Sequence, residues 1–92
     1  METFVLCENV TKGLRPGEVT VMVNSTPGRG EFLRVSESNL LTRGKKKYLA
    51  VGVIHIDPET QQHLIEFPHE ADSGTSRIWV PKDSIFSEKV PA

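Results

Sequence analysis

Arg43-Gly44-Lys45-Lys46-Lys47 puts four cations into five residues, immediately before the aromatic Tyr48. On a loop, such a run can grip phosphates, each neutralised phosphate releasing counterions, with the ring as a stacking platform. This nucleic-acid reading rests on Arg43, Lys45, Lys46, Lys47 and Tyr48, with Arg15, Arg29 and Arg34 as possible extensions of the patch. The plainer reading is a solvated approach to an edge strand, where lysines discourage pairing with other chains. Glu8, Glu18, Glu31 and Glu37 supply acidic counterweights.

His69-Glu70-Ala71-Asp72-Ser73-Gly74-Thr75-Ser76-Arg77 gathers an imidazole, two carboxylates, hydroxyls and a guanidinium. These are the groups that general acid/base and nucleophilic catalysis need, and His69, Asp72 and Ser73 would carry a hydrolase-like site. Asp72-Ser73-Gly74 is equally an ordinary turn, with Arg77 pairing to Glu70 or Asp72 to tie the loop down. Catalytic groups normally converge from separate elements, so the turn is the expectation and no catalytic residue is assigned. His55 and His63 face each other if the turn between them spans Asp57 to Gln61, and Asp57 or Glu59 would complete a zinc set. Without cysteine pairs or tight ligand spacing, neither a metal nor a cofactor is expected. Asn24-Ser25-Thr26 fits a glycosylation acceptor only in a secreted chain. Thr26-Pro27-Gly28-Arg29-Gly30 lacks the Gly-Lys-Ser/Thr ending of a phosphate loop, so it reads as a hairpin loop with Arg29 at its tip.

Trp79 is the single tryptophan, in Ile78-Trp79-Val80. Pointing outward beside Arg77 and Arg34 it would anchor a protein partner; pointing inward it would fill the core. Trp79, Arg77 and Arg34 are therefore the partner-binding candidates.

The elements that must position these groups read as strands. Alternation is common and helical spacing scarce, while Gly and Pro fall between the alternating runs. Thr3 to Val10 sets Phe4, Leu6 and Val10 on one face and Val5 and Cys7 on the other. Glu18 to Val23 turns Val19, Val21 and Val23 inward and forms a hairpin with Glu31 to Val35. Tyr48 to Ile56 is the longest apolar run, a central or curling strand with Gly52 as the bend, and Thr42 to Lys47 before it is polar. Asp57-Pro58-Glu59-Thr60 has the residues of a type I turn, so His63 to Phe67 returns as the partner strand. Ser36 to Leu41 and Pro81 to Phe86 are each a single helical turn, the first capped by Ser36, and Arg77 to Val80 is the last strand. The tail Ser87 to Ala92 is expected to fray.

One regularity crosses the whole chain. Leu33, Val35, Ser38, Leu40 and Leu41 recur in kind as Ile78, Val80, Asp83, Ile85 and Phe86, each 45 residues on. The same offset pairs Phe4 with Leu49, Leu6 with Val51 and Val19 with Leu64, which hints at two similar halves.

The bulk properties agree with one small domain spanning residues 1–92. The chain is 37% hydrophobic and 25% charged, which excludes a disordered segment, and no run approaches a spanning helix. A formal net charge of −1 removes any global attraction to phosphate, so nucleic-acid binding would have to be local. A domain this size buries only about 60–65% of its unfolded surface, which makes a homo-oligomer a natural supplement. Cys7 stands alone, in keeping with a reducing, cytoplasmic setting, and no membrane association is expected.

The expected fold is all-β, five or six short antiparallel strands with one-turn helices. In strand number and length it resembles the small SH3-like barrels, an architectural likeness carried by no signature motif. Barrels of that kind host peptide binders, nucleic-acid binders, adaptors and a few enzymes, so the likeness names no function. The reading is a non-catalytic binding or adaptor module for a protein partner or a second copy, with nucleic-acid binding as the alternative.

Overall fold

The computed structural model describes residues 2–26 and 28–88. The chain is all-β and antiparallel: β1 (Glu2–Cys7), β2 (Asn9–Lys12), β3 (Glu18–Ser25), β4 (Arg29–Ser36), β5 (Leu40–Arg43), β6 (Lys46–Ile56), β7 (His63–Glu66), β8 (Arg77–Val80) and β9 (Ile85–Glu88). One sheet has the order β8-β7-β6-β1-β9, with β5 also paired to β6; the other is β2-β3-β4. The eleven residues of β6 carry three partners, because β1 and β5 pair with its first part and β7 with its last. More strands are present than expected: the run from Thr3 to Val10 is broken at Glu8 into β1 and β2, and Arg77 to Val80 is not the last strand because β9 follows it. Nor is Thr42 to Lys47 merely a polar connection. It is the end of β5, a tight turn and the start of β6.

Alternation explains the packing. Val19, Val21 and Val23 of β3 and Leu33 and Val35 of β4 point inward and meet Val5, Cys7, Leu49, Ile65, Ile78 and Val80 from the first sheet. Each fully buried Val, Leu or Ile contributes about 1.5–3 kcal/mol. The chain passes from one sheet to the other at Glu8, whose amide donates to the Met22 carbonyl at 2.8 Å. The far edges are joined as well: Thr26 N–H donates to the Trp79 carbonyl, and Asp72 N–H to that of Phe32, both at 2.8 Å.

Two 3₁₀ turns, Glu37–Asn39 and Lys82–Ser84, fall where single turns were expected and 45 residues apart. Ser36 does not cap the first; its hydroxyl meets that of Ser38 at 2.9 Å. Ser87 and Glu88 belong to β9, so the chain is ordered further than expected, and the rest of the expected frayed tail, 89–92, lies outside the described residues, as does Pro27 of the first hairpin loop.

The repeat extends to the ladders, with one correction. Val5 stands opposite Leu49, and Val21 opposite Leu33 corresponds to Ile65 opposite Ile78. β1 and β3 therefore correspond to β6 and β7 at an offset of 44, while β4, the 3₁₀ turn and β5 correspond to β8, the second turn and β9 at 45. The uniform offset of 45 pairs Phe4 with Leu49, Leu6 with Val51 and Val19 with Leu64, each one residue out. A one-residue slip in a strand turns every side chain to the opposite face. Glu8 corresponds to Gly52, and the register shift between Val53 and His55 follows directly after it. Each half ends in a strand laid against the first strand of the other: β5 on β6, and β9 on β1.

Candidate functional site

The cationic run sits on the β5–β6 turn. Arg43 pairs with Lys46 across Gly44 and Lys45, and Gly44 takes φ +61°, as the first central residue of a two-residue hairpin of the type II′ kind does. The run divides: Lys45, Lys46 and Lys47 line one groove, while Arg43 turns to an aromatic ring. Arg43 lies over the Phe86 ring at 5.7 Å, and Lys47 Nζ donates to Thr42 Oγ1 at 2.8 Å. Lys45 and Lys46 are exposed, and they border a shallow groove with Glu8 and Asn9. Tyr48 is half-buried with its ring 5.5 Å from that of Phe86, and Phe86 in turn lies 6.3 Å from Phe4. These rings form a cluster on the face of the sheet opposite the core, because Val5 and Leu49, their neighbours in the chain, point inward.

The partner-binding candidates divide between two sheets. Trp79 and Arg77 share the outward face of β8, where Ile78 and Val80 are buried. Trp79 is half-buried and meets His55 edge-on at 6.1 Å, in a row that runs His55, Leu64, Trp79 across β6, β7 and β8. The next row holds Glu66 and Arg77, whose Nε donates to Glu66 Oε2 at 2.9 Å. Glu66, rather than Glu70 or Asp72, is thus the partner of Arg77; at this exposure the pair contributes about 0–1 kcal/mol. Arg34 is exposed on β4 opposite Thr20, in the other sheet, at the repeat position of Trp79.

On β6, at the other edge of these three strands, lies a feature that the sequence reading missed. Val53, Ile54 and Ile56 are 37%, 43% and 45% exposed. A long apolar run reads as a central strand, but the ladder with β1 stops at Val51. Beyond it, among the described residues, β6 pairs with β7 alone, and β6, β7 and β8 form a three-stranded wing with an open edge.

The remaining groups are placed apart. His69 Nδ1 lies 3.0 Å from the Glu70 carbonyl oxygen, while the Ser73 hydroxyl donates to Glu31 Oε1 at 2.6 Å. A nucleophile–imidazole pair is not assembled there. Glu31, 6% exposed, is the acid that holds the loop; its place in the alternation with Leu33 and Val35 was the available signal. Ile56 stands opposite His63, and His55 opposite Leu64, so the two imidazoles project from opposite faces of the wing. No set of three His, Cys, Asp or Glu among the described residues is placed to hold a metal.

Two groups have displaced acidities. The Asp57 carboxylate sits at the hairpin turn, and the Glu59 N–H bond, 2.8 Å to Oδ1, chiefly holds its pKa below the ordinary range. Burial, and then the charge of Glu8, pushes the Cys7 thiol up to about 12, which keeps it in the thiol form and away from nucleophilic work at neutral pH. No helix among the described residues is long and apolar enough to cross a membrane. No known protein family matches the chain, and no curated protein or solved structure matches it.

Proposed function

We propose that the chain is a non-catalytic binding module, an adaptor that takes a protein partner along the β6–β7–β8 wing. The carrying observation is the exposure of Val53, Ile54 and Ile56 on an open strand edge. The repeat supplies an internal comparison. The corresponding strand β2 bears Asn9, Thr11 and Lys12, all exposed, with Val10 leaning on the core. Solvated edges are kept polar or charged, so the apolar edge is the one built to be covered. Trp79 and Arg77 stand on β8, at the other edge of the wing and on its outward face, and have the side-chain types that dominate protein interfaces. Arg34 lies on β4, in the other sheet, and is not part of this surface. The bonds from Thr26 to Trp79 and from Asp72 to Phe32, which join the sheets at their far edges, support reading the fold as a small SH3-like barrel. A buried, protonated lone thiol suits a reducing cytoplasm.

Nucleic-acid binding through Lys45 and Lys46 is the second reading, favoured by the exposure of both at a turn. Glu8 in the same groove and the packing of Tyr48 on Phe86 weigh against it. A photo-crosslinking residue at position 56 in cells should give a defined protein adduct. Trp79→Ala should abolish that adduct, and alanine at Lys45 and Lys46 should preserve it. No adduct at 56, with a nuclease-sensitive adduct from position 45, overturns the protein reading in favour of the other.

A further inference from the structure

The face of β5, β6, β1 and β9 turned away from the core is apolar and incompletely covered. Leu6, Leu41, Tyr48 and Phe86 all lie on it half-buried, around the buried Phe4. Their inward neighbours are the core residues Val5, Cys7, Leu40, Leu49 and Ile85. The repeat carries this face onto itself. The offset of 44 takes Phe4 to Tyr48, and the offset of 45 takes Leu41 to Phe86, so apolar positions fall on apolar positions.

Charge breaks the likeness. Lys46 stands at one corner of the face, and the position that corresponds to it, at the diagonally opposite corner, is Glu2. Both are exposed. A face that is apolar in the middle, basic at one corner and acidic at the other is complementary to itself once turned end for end. Laid face to face in that sense, each Lys46 meets the Glu2 of the other copy, twice about one two-fold axis. The opposite sense sets lysine on lysine and glutamate on glutamate. Complementary corners choose orientation in this way, and an isologous contact repeats each pairing.

We propose that a second copy of this chain docks on the outward face of β5, β6, β1 and β9, with Lys46 of each copy against Glu2 of the other. The proposal concerns a different face from the wing and does not depend on it. Sedimentation equilibrium at low salt should give a mass near twice the 10.3 kDa of the chain. Lys46→Glu alone and Glu2→Lys alone each place like charges at both corners and should weaken dimerisation at least about tenfold. The double variant Glu2→Lys with Lys46→Glu should restore it, which separates lost pairing from lost folding. Trp79→Ala should leave the mass unchanged, so a failure here is distinct from a failure of the wing. A monomer at every concentration up to about 1 mM, single swaps that dimerise like the wild type, or a double swap as weak as the single ones would each overturn the proposal.

Discussion

Replacing Ser73 by Ala tests how the loop before β8 is held to the second sheet. The loop reaches β4 by the Asp72 to Phe32 backbone bond and by its buried Ala71. Ser73 adds a 2.6 Å bond to a carboxylate that is only 6% exposed. Arg29 stands 4.0 Å from the other carboxylate oxygen, but its side chain is 79% exposed, so solvent screens most of its attraction. Removing the hydroxyl therefore leaves Glu31 without its short donor. Hydrogen bonds to charged groups contribute about 1.5–3 kcal/mol, so the expected loss is about 2 kcal/mol. In a domain of this size that lowers Tm by about 8–16 °C. Urea unfolding followed by Trp79 fluorescence reads the loss directly, with the midpoint concentration falling at constant m. In a Glu31→Ala background the same substitution should be nearly neutral, because the acceptor is gone. A loss below about 0.5 kcal/mol, or one that persists in full without Glu31, refutes the assignment of the bond as the tie.

Two further outcomes follow from the same geometry. The folded-state pKa of Cys7 lies near 12, above that of the exposed thiol, so above about pH 9 the unfolded chain loses a proton that the folded chain keeps. Stability should then fall by at most about 1.4 kcal/mol per pH unit between pH 9 and 12, and a Cys7→Ala variant, melted in parallel, should lack that component. At Gly44 an added Cβ meets nothing within 4 Å, so only the backbone opposes substitution at φ +61°. Gly44→Ala should cost about 1–3 kcal/mol in thermal melts, because the first position of a II′ turn suits glycine alone.

The parts of the fold set by local pattern were legible in the sequence. Alternating valines announced β3, the Asp57-Pro58 turn announced the β6–β7 hairpin, and both 3₁₀ turns appeared where apolar pairs follow short polar stretches. Long-range pairing was not legible. Nothing in Phe4 to Cys7 names Lys47 to Ala50 as its partner, because any alternating strand offers the same ladder to any other. The one-residue correction to the repeat has the same root, since apolar residues on both sides of β1 and β6 let either face pass for the inner one. The wing edge was hidden for a related reason: Val53 to Ile56 has the composition of a buried strand, and only the point where β1 stops shows that it is not one. Trp79 and Arg77 are recognisable by residue type, whereas Glu31 reads by type as an acidic counterweight although its phase with Leu33 points it inward.

The reciprocal loan of terminal strands has a consequence for how the molecule assembles. A fragment holding only the first half would leave β5 without β6 and β1 without both β6 and β9, a gap that the second half fills. The turn at Gly44 and Lys45 ties the two exchanging pieces together and so makes closure a first-order event, indifferent to dilution. Cutting the chain there would return that closure to the law of mass action, with two fragments that find each other only when concentrated.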